Sequence, residues 1–351
     1  MTATKAPDDV LRRIRQGNRF LLTSHVNPDG DSIGSALGLA RLLRGMGKGA
    51  VVWNRDEPPA VYRALPGADR IHSGAEPPAG FPEKFDAIVV LECPSADRTG
   101  LEEHLDALPV VNVDHHLGNQ HYGEINWVDP AAPAVGEMVY RLAQALKLTL
   151  DHDTANCLYL TLVTDTGGFR YSNATAAAFE AAASLVRSGA QPDLVARWLY
   201  ESRSEGSLRL LAELLGTMEL HAGGRVATAR ITQEMYQRTG TTPGDAEGLI
   251  NYPRSVAGVE AVALARELPE GGAKVSLRSR GEVDVEQVAR RHGGGGHRNA
   301  AGYQVESGVE AALAQAVEAL AEAVSRPAPE TVAVEPAAGP EPGAAEATTE
   351  S

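Results

Sequence analysis

Residues 86–93, DAIVVLEC, impose the strongest constraint on the fold: five consecutive apolar residues run directly into a carboxylate at Glu92. A continuous apolar run of strand length between polar ends is what a parallel strand covered on both faces requires, since a strand with one wet face would alternate. PVVNVD (109–114) repeats the pattern and ends on Asp114. RFLLTS (19–24) reads as a further buried strand that opens into the polar loop HVNPDGDS, and GAVVWN (49–54) reads as another strand. Between and after these runs, 3.6-residue periodicity predicts helices over residues 8–17, over SIGSALGLARLLRGMG, and over roughly 134–147, 151–164 and 174–188. Strands alternating with helices predict an α/β fold with a parallel sheet. In such sheets ligands bind beyond the carboxyl ends of the strands. The polar groups fall there: His25 to Asp31 after one strand, Glu92 after a second, Asp114 to His116 after a third.

The texture changes near residue 190. Residues 1–190 form the first predicted domain, and 191–216 read as a helical connector. From 217 to 326, short strands (RVATARI, VEAVALARE, AKVSLRSR) alternate with helices (VDVEQVARRH, VEAALAQAVEALAEAV), which predicts a second, smaller α/β domain. Residues 327–351 are rich in Pro, Ala and Glu and lack aromatics, the composition of a disordered tail.

Charge narrows the partners. The formal net charge is −14, and the last 25 residues contribute five of the negative charges with no Lys or Arg. The rest of the chain is therefore still acidic. A long nucleic-acid duplex calls for excess basic charge, so it is excluded as the expected partner. A short anionic substrate, held by a few arginines or by metals, is not. Two cysteines, Cys93 and Cys157, cannot build a disulfide framework. With no signal-like apolar segment at the N-terminus and no run long enough to span a bilayer, the expectation is a cytoplasmic protein without a membrane partner.

Four clusters carry chemistry. In HVNPDGDS, Pro28 and Gly30 allow a tight turn, so that Asp29 and Asp31 can aim their carboxylates together beside His25. Such anions repel unless a cation lies between them. Capping of the next helix by Asp31 or Ser32 would explain one of these residues but not the others. In Asp114-His115-His116, adjacent side chains on extended backbone face opposite ways, which would give one imidazole to a metal and the other to a substrate. In YLTLVTDTGGFRYSN, Asp165 stands at the end of an apolar helix, where the macrodipole disfavours a carboxylate and a counter-charge is wanted. Finally, GGGGHRNAAG (293–302) has four glycines that let backbone N–H groups approach an anion, followed by His297 and Arg298.

Taken in order, HVNPDGDS, VDHH, TDTGGF and GGGGHRNAAG resemble the DHH phosphoesterase superfamily with its DHH-associated C-terminal domain, and within it the bacterial oligoribonuclease/pAp phosphatase group. The likeness covers about residues 5–325. It implies two divalent ions, usually Mn²⁺ with Mg²⁺ or Co²⁺ as substitutes, and an active-site cleft between the larger domain and the smaller one. It implies metal ligation by His25, Asp29, Asp31, Glu92, His115 and Asp165, and a catalytic His116 facing the scissile phosphate. Asp114 is expected to orient an imidazole. Gly295, Gly296, His297 and Arg298 match the substrate loop, and Arg254 and Arg278 match substrate-contacting positions. One departure stands out: Glu92 occupies a place where the family usually has Asp. The implied activity is hydrolysis of short oligonucleotides to mononucleotides, with 3′-phosphoadenosine 5′-phosphate (pAp) as a second substrate. The competing readings are a phosphodiesterase for cyclic or linear dinucleotides and a nucleotide-binding regulator with an impaired site. A homodimer is left open.

Overall fold

The computed structural model describes residues 5–201, 203–281 and 283–325. The predicted tail therefore lies outside the described residues. Contacts divide the chain between Arg203 and Ser204 into two compact units.

In the first unit the chain runs α1 (Asp8–Gln16), β1 (Arg19–Thr23), α2 (Gly30–Gly45), β2 (Gly49–Asn54), β3 (His72–Ser73), β4 (Ala87–Leu91), α3 (Glu102–Leu105), β5 (Val110–Asp114), β6 (Ile125–Val128), α4 (Val135–Ala145), α5 (His152–Asp165), α6 (Ala176–Arg187) and α7 (Pro192–Tyr200). The six strands form one parallel sheet in the order β3-β2-β1-β4-β5-β6. The apolar run that predicted two covered faces behaves accordingly. Ala87, Val89 and Leu91 join one hydrophobic cluster while Ile88 and Val90 join another, so alternate residues of β4 are buried on opposite sides. The chain order reverses between the neighbouring strands β1 and β4, which is where a doubly wound sheet opens a crevice at its carboxyl edge.

Small residues bring α2 and α5 together. A methyl group on Gly34 would lie 2.6 Å from Thr161 Cγ2, and one on Gly30 would lie 2.5 Å from Thr164 Cγ2. Larger side chains at these turns would push the helices apart and separate Asp31, at the start of α2, from Asp165, at the end of α5.

The second unit contains α8 (Glu205–Gly216), β7 (Glu219–His221), β8 (Val226–Ile231), α9 (Gln233–Thr239), α10 (Asn251–Arg254), β9 (Ala261–Glu267), β10 (Ala273–Ser279), α11 (Val285–Arg291), β11 (Gly295–His297), β12 (Ala300–Val305) and α12 (Val309–Ser325). Its six strands lie in the order β11-β12-β10-β9-β8-β7, antiparallel except for the β8–β9 pair. The 191–216 stretch holds two helices, α7 in the first unit and α8 in the second. Among the described residues no helix is long and apolar enough to cross a membrane.

Candidate metal centre

Every candidate in the first unit stands at or beside the end of a strand or helix. His25 lies just beyond β1. Asp29 and Asp31 sit at the entry to α2, Glu92 follows β4 directly, and Asp114 is the last residue of β5. His115 and His116 come next, and Asp165 closes α5. The structure brings all of them together around Glu92. One Glu92 oxygen (Oε2) is 3.0 Å from His25 Nε2; the other (Oε1) is 3.4 Å from His115 Nε2 and 3.6 Å from His116 Nε2. His115 Nε2 is also 3.8 Å from Asp165 Oδ2, and His25 Nε2 is 3.9 Å from Asp29 Oδ1.

The imidazoles share one orientation. Each ties Nδ1 to an oxygen that faces away from the cluster: His25 to the Val26 carbonyl at 2.8 Å, His115 to the Ala132 carbonyl at 3.0 Å, His116 to Asp114 Oδ1 at 2.7 Å. That turns Nε2 of all three toward Glu92, although His25 Nε2 also lies 2.7 Å from Ser32 Oγ, and it is the arrangement that prepares histidines for a metal. The expectation that His115 and His116 face opposite ways is corrected here. β5 has already ended at Asp114, the strand alternation no longer applies, and the two rings meet edge-on with centroids 5.3 Å apart.

The donor set fits divalent cations. Three overlapping triads, His25/Asp29/Glu92, Glu92/His115/His116 and Asp31/His115/Asp165, each keep their ligand atoms within 4.8 Å of one another. Glu92 is common to two of these triads, and so is His115. Glu92 Oε2 is buried and accepts no hydrogen bond of good geometry among the described residues, a cost a cation would relieve. Imidazole nitrogens and carboxylate oxygens together suit a first-row divalent ion.

Electrostatics describe a cluster that holds protons when it lacks metal. Burial would lower the His25 imidazole, but the Glu92 carboxylate outweighs it and raises the group to about 9. Burial likewise opposes the charge on His115, and its contacts with Glu92 and Asp165 raise it well above the usual range. Burial and the neighbouring Asp165 push Asp31 upward. Asp165 itself is raised to about 7 by burial, against the pull of His115 and with a push from Glu92. For Glu92, burial is overcome by the surrounding imidazoles, His116 foremost, and the carboxyl sits well below its ordinary value.

Glu92 has φ +56°, in the left-handed region that side-chain-bearing residues rarely adopt. The helix cap also differs from expectation. Asp29, rather than Asp31 or Ser32, caps α2, accepting from Ser32 N at 2.9 Å. Asp31 instead accepts from Val135 N (2.6 Å) and Gly136 N (3.0 Å), which points both its oxygens at the N-terminus of α4.

Two asparagines escape a search for ligand types. Asn119 donates to Asp114 Oδ2 at 2.6 Å, and Asn173 donates to Asp165 Oδ2 at 3.3 Å and to the Asp165 carbonyl at 3.2 Å. Asn119 lies three residues after VDHH and Asn173 is the last residue of YLTLVTDTGGFRYSN, and that proximity is the only signal the sequence offers.

In the second unit, Gly295, Gly296 and His297 form edge strand β11 rather than an open loop, and Arg298 stands in the turn to β12. Arg278 lies on β10 opposite Ala300 of β12, so it adjoins this hairpin one strand in from it. Arg254 ends α10, outside this hairpin. Gly296 has φ +146°, and a methyl group there would lie 2.5 Å from the Ala300 carbonyl oxygen. Glycine is therefore required by the hairpin itself.

A parallel sheet whose carboxyl edge gathers three imidazoles and four carboxylates, joined to a mixed-sheet unit with a glycine-rich edge, defines a metal-dependent phosphoesterase. Residues 19–162 match the DHH family N-terminal domain, and residues 223–326 match the DHHA1 domain. The bifunctional oligoribonuclease and PAP phosphatase NrnA of Thermus thermophilus is 34% identical over 319 residues, covering 90% of this chain and 91% of that protein. The Bacillus subtilis protein of the same name is 26% identical, covering 86% of this chain and 94% of its own. The crystal structure of an exopolyphosphatase-related protein from Bacteroides fragilis superposes with a TM-score of 0.85 at 28% identity, over 92% of this chain and 98% of that one. The chain belongs to the DHH family, in its DHH–DHHA1 form, and is a hydrolase.

Proposed function

We propose that this protein hydrolyses short oligoribonucleotides to mononucleotides, and the terminal phosphate of pAp, at a two-cation centre formed by His25, Asp29, Asp31, Glu92, His115 and Asp165. The observation that carries the reading is the convergence of His25 and His115 Nε2 on Glu92, each with its Nδ1 held by a backbone carbonyl. The family and the printed activities of the Thermus and Bacillus relatives support the substrate class. Mn²⁺ is the proposed cation, with Mg²⁺ or Co²⁺ as substitutes.

When bound, the two cations supply Lewis acidity, lowering the pKa of water and neutralising charge that develops at phosphorus. The rest falls to the chain. Asp31 is anchored to the α4 amides and keeps its carboxylate in place. His116, held at Nδ1 by Asp114, turns Nε2 toward the site and is the group we place against the scissile phosphate. Water is the nucleophile, and no covalent enzyme intermediate forms. In the second unit, Gly295, Gly296, His297, Arg298 and Arg278 hold the terminal nucleotide or phosphate, with Arg254 as a further contact. Few cationic contacts suffice for a short substrate, in keeping with an acidic chain of net charge −14.

The test is product analysis in Mn²⁺ with a dinucleotide, a longer oligonucleotide, pAp and cyclic di-AMP side by side. Rapid release of mononucleotides from the dinucleotide and of AMP from pAp, with the longer chain slower, is expected. Preferred cleavage of cyclic di-AMP would move the assignment to cyclic dinucleotides. Tight nucleotide binding without turnover in excess Mn²⁺ would make the protein a regulator.

A further inference from the structure

We propose that Asn119 is a positioning residue for His116, acting through Asp114. This inference rests on the reading that His116 works at the phosphoryl group.

Asp114 is fully buried and its two oxygens are divided. Oδ1 takes the His116 Nδ1–H at 2.7 Å, and Oδ2 takes an Asn119 Nδ2–H at 2.6 Å. Asn119 has little freedom to move away. Its second Nδ2–H goes to Asn112 Oδ1 at 2.8 Å, its Oδ1 accepts from His121 N at 2.8 Å, and its own backbone N donates to the His116 carbonyl at 3.2 Å. Both Nδ2 protons of this amide are committed, with a longer contact from Nδ2 to the Cys93 carbonyl at 3.5 Å, and its oxygen accepts one bond.

The network does not end there. Asn112 Nδ2 donates to the Cys93 carbonyl at 3.1 Å, where the Tyr122 hydroxyl also donates at 3.1 Å, and Gln120 N donates to the Pro94 carbonyl at 2.8 Å. Cys93 directly follows Glu92. The backbone that carries the central carboxylate and the carboxylate that aims His116 are thus joined through Asn112, Tyr122 and Asn119. None of these three needs to touch metal or substrate. Their effect is to fix which way Asp114 points, and so the tautomer and rotation of the His116 ring.

An amide is the side chain this position requires. Aspartate at 119 would have the same shape but would set one carboxylate against another where the 2.6 Å bond now lies. Alanine would leave Asp114 Oδ2 buried without its donor. Both changes should free His116 while leaving the proposed ligands in place.

The experiment compares the full chain with Asn119→Asp, Asn119→Ala, His116→Ala and the His116→Ala/Asn119→Ala double variant. It measures turnover of pApA in Mn²⁺, bound manganese per chain and thermal unfolding. We expect Asn119→Asp to lower kcat about 10- to 100-fold, and Asn119→Ala somewhat less, with KM and manganese content held. On the His116→Ala background, Asn119→Ala should change kcat by less than about twofold, because the residue through which it acts is already gone. If the Asn119→Ala loss instead multiplies in full on that background, or appears as lost manganese, this inference is wrong and Asn119 supports the fold or the metal site. If His116→Ala alone leaves kcat unchanged, the reading of His116 fails, and this inference fails with it. Should Asn119→Asp unfold at working temperature, the alanine pair still decides the question.

Discussion

The two units handle anions in opposite ways. In the first, the candidate ligands come from separate strand and helix ends, and His25, Asp31 and Glu92 are buried. In the second, the candidate substrate residues Gly295 and Gly296 lie with Arg298 on one exposed edge hairpin, which Arg278 adjoins on β10. Burial makes charge expensive, so the first site must balance its own charges, and without a cation it does so by keeping protons. An exposed edge has no such requirement. We propose that this edge receives the anionic end of the substrate, with water screening the charge in between. We propose from this contrast that rate resides in the buried cluster and affinity for the nucleotide in the hairpin.

Substitutions can break that division. The largest effect should come from Asp29→Ala or His115→Ala, which should cost on the order of 10²–10³-fold in kcat with circular dichroism unchanged. Retained turnover would remove the two-cation site from the account. Next comes Gly296→Ala, whose methyl group would collide with the Ala300 carbonyl oxygen. It should raise KM roughly tenfold, equivalent to about 1.4 kcal/mol of binding, and leave manganese content intact. A fall in bound metal instead would show that the two regions are not separable.

A smaller effect concerns pH. In metal-free protein, His25 raised to about 9 from 6.5 and Asp165 raised to about 7 from 3.8 both bind protons more tightly folded than unfolded. The stabilisation from Asp165 is complete below its unfolded value near 3.8 and lost by about 7. That from His25 is complete below about 6.5 and lost by about 9. The melting temperature of the metal-free chain should therefore fall as pH rises from about 6 to 9, while saturating Mn²⁺ flattens the curve, because the cation takes the place of the protons. A metal-free curve that rises over that range would contradict the proton-holding cluster. The smallest change should follow Glu92→Asp. Aspartate tolerates the left-handed backbone better than glutamate, so activity should be kept or increased while manganese affinity shifts. If neither rate nor affinity moves, Glu92 is not a ligand.

Much of the first unit was legible because its strands are continuous apolar runs. GAVVWN matches β2 residue for residue, and DAIVVLEC and PVVNVD contain β4 and β5. β6 and the two-residue β3 were not, since an edge strand only partly buried carries a weak apolar signal. The glycine run read as a loop forms β11, because pairing with β12 supplies an order that local glycine propensity opposes. At the site, His and Asp announce themselves by type. Asn112, Asn119 and Tyr122 do not, since their role exists only once β5 lies beside the segment after Glu92. The left-handed backbone at Glu92 was equally hidden.

The central claim is that the buried histidine–carboxylate cluster holds two cations. An anomalous-difference map at the manganese edge, from crystals grown in Mn²⁺, tests it directly. The account predicts two peaks roughly 3.5–4 Å apart, both within the cluster of His25, Asp29, Asp31, Glu92, His115 and Asp165. A map without a peak there, or with its manganese bound elsewhere on the chain, would contradict it.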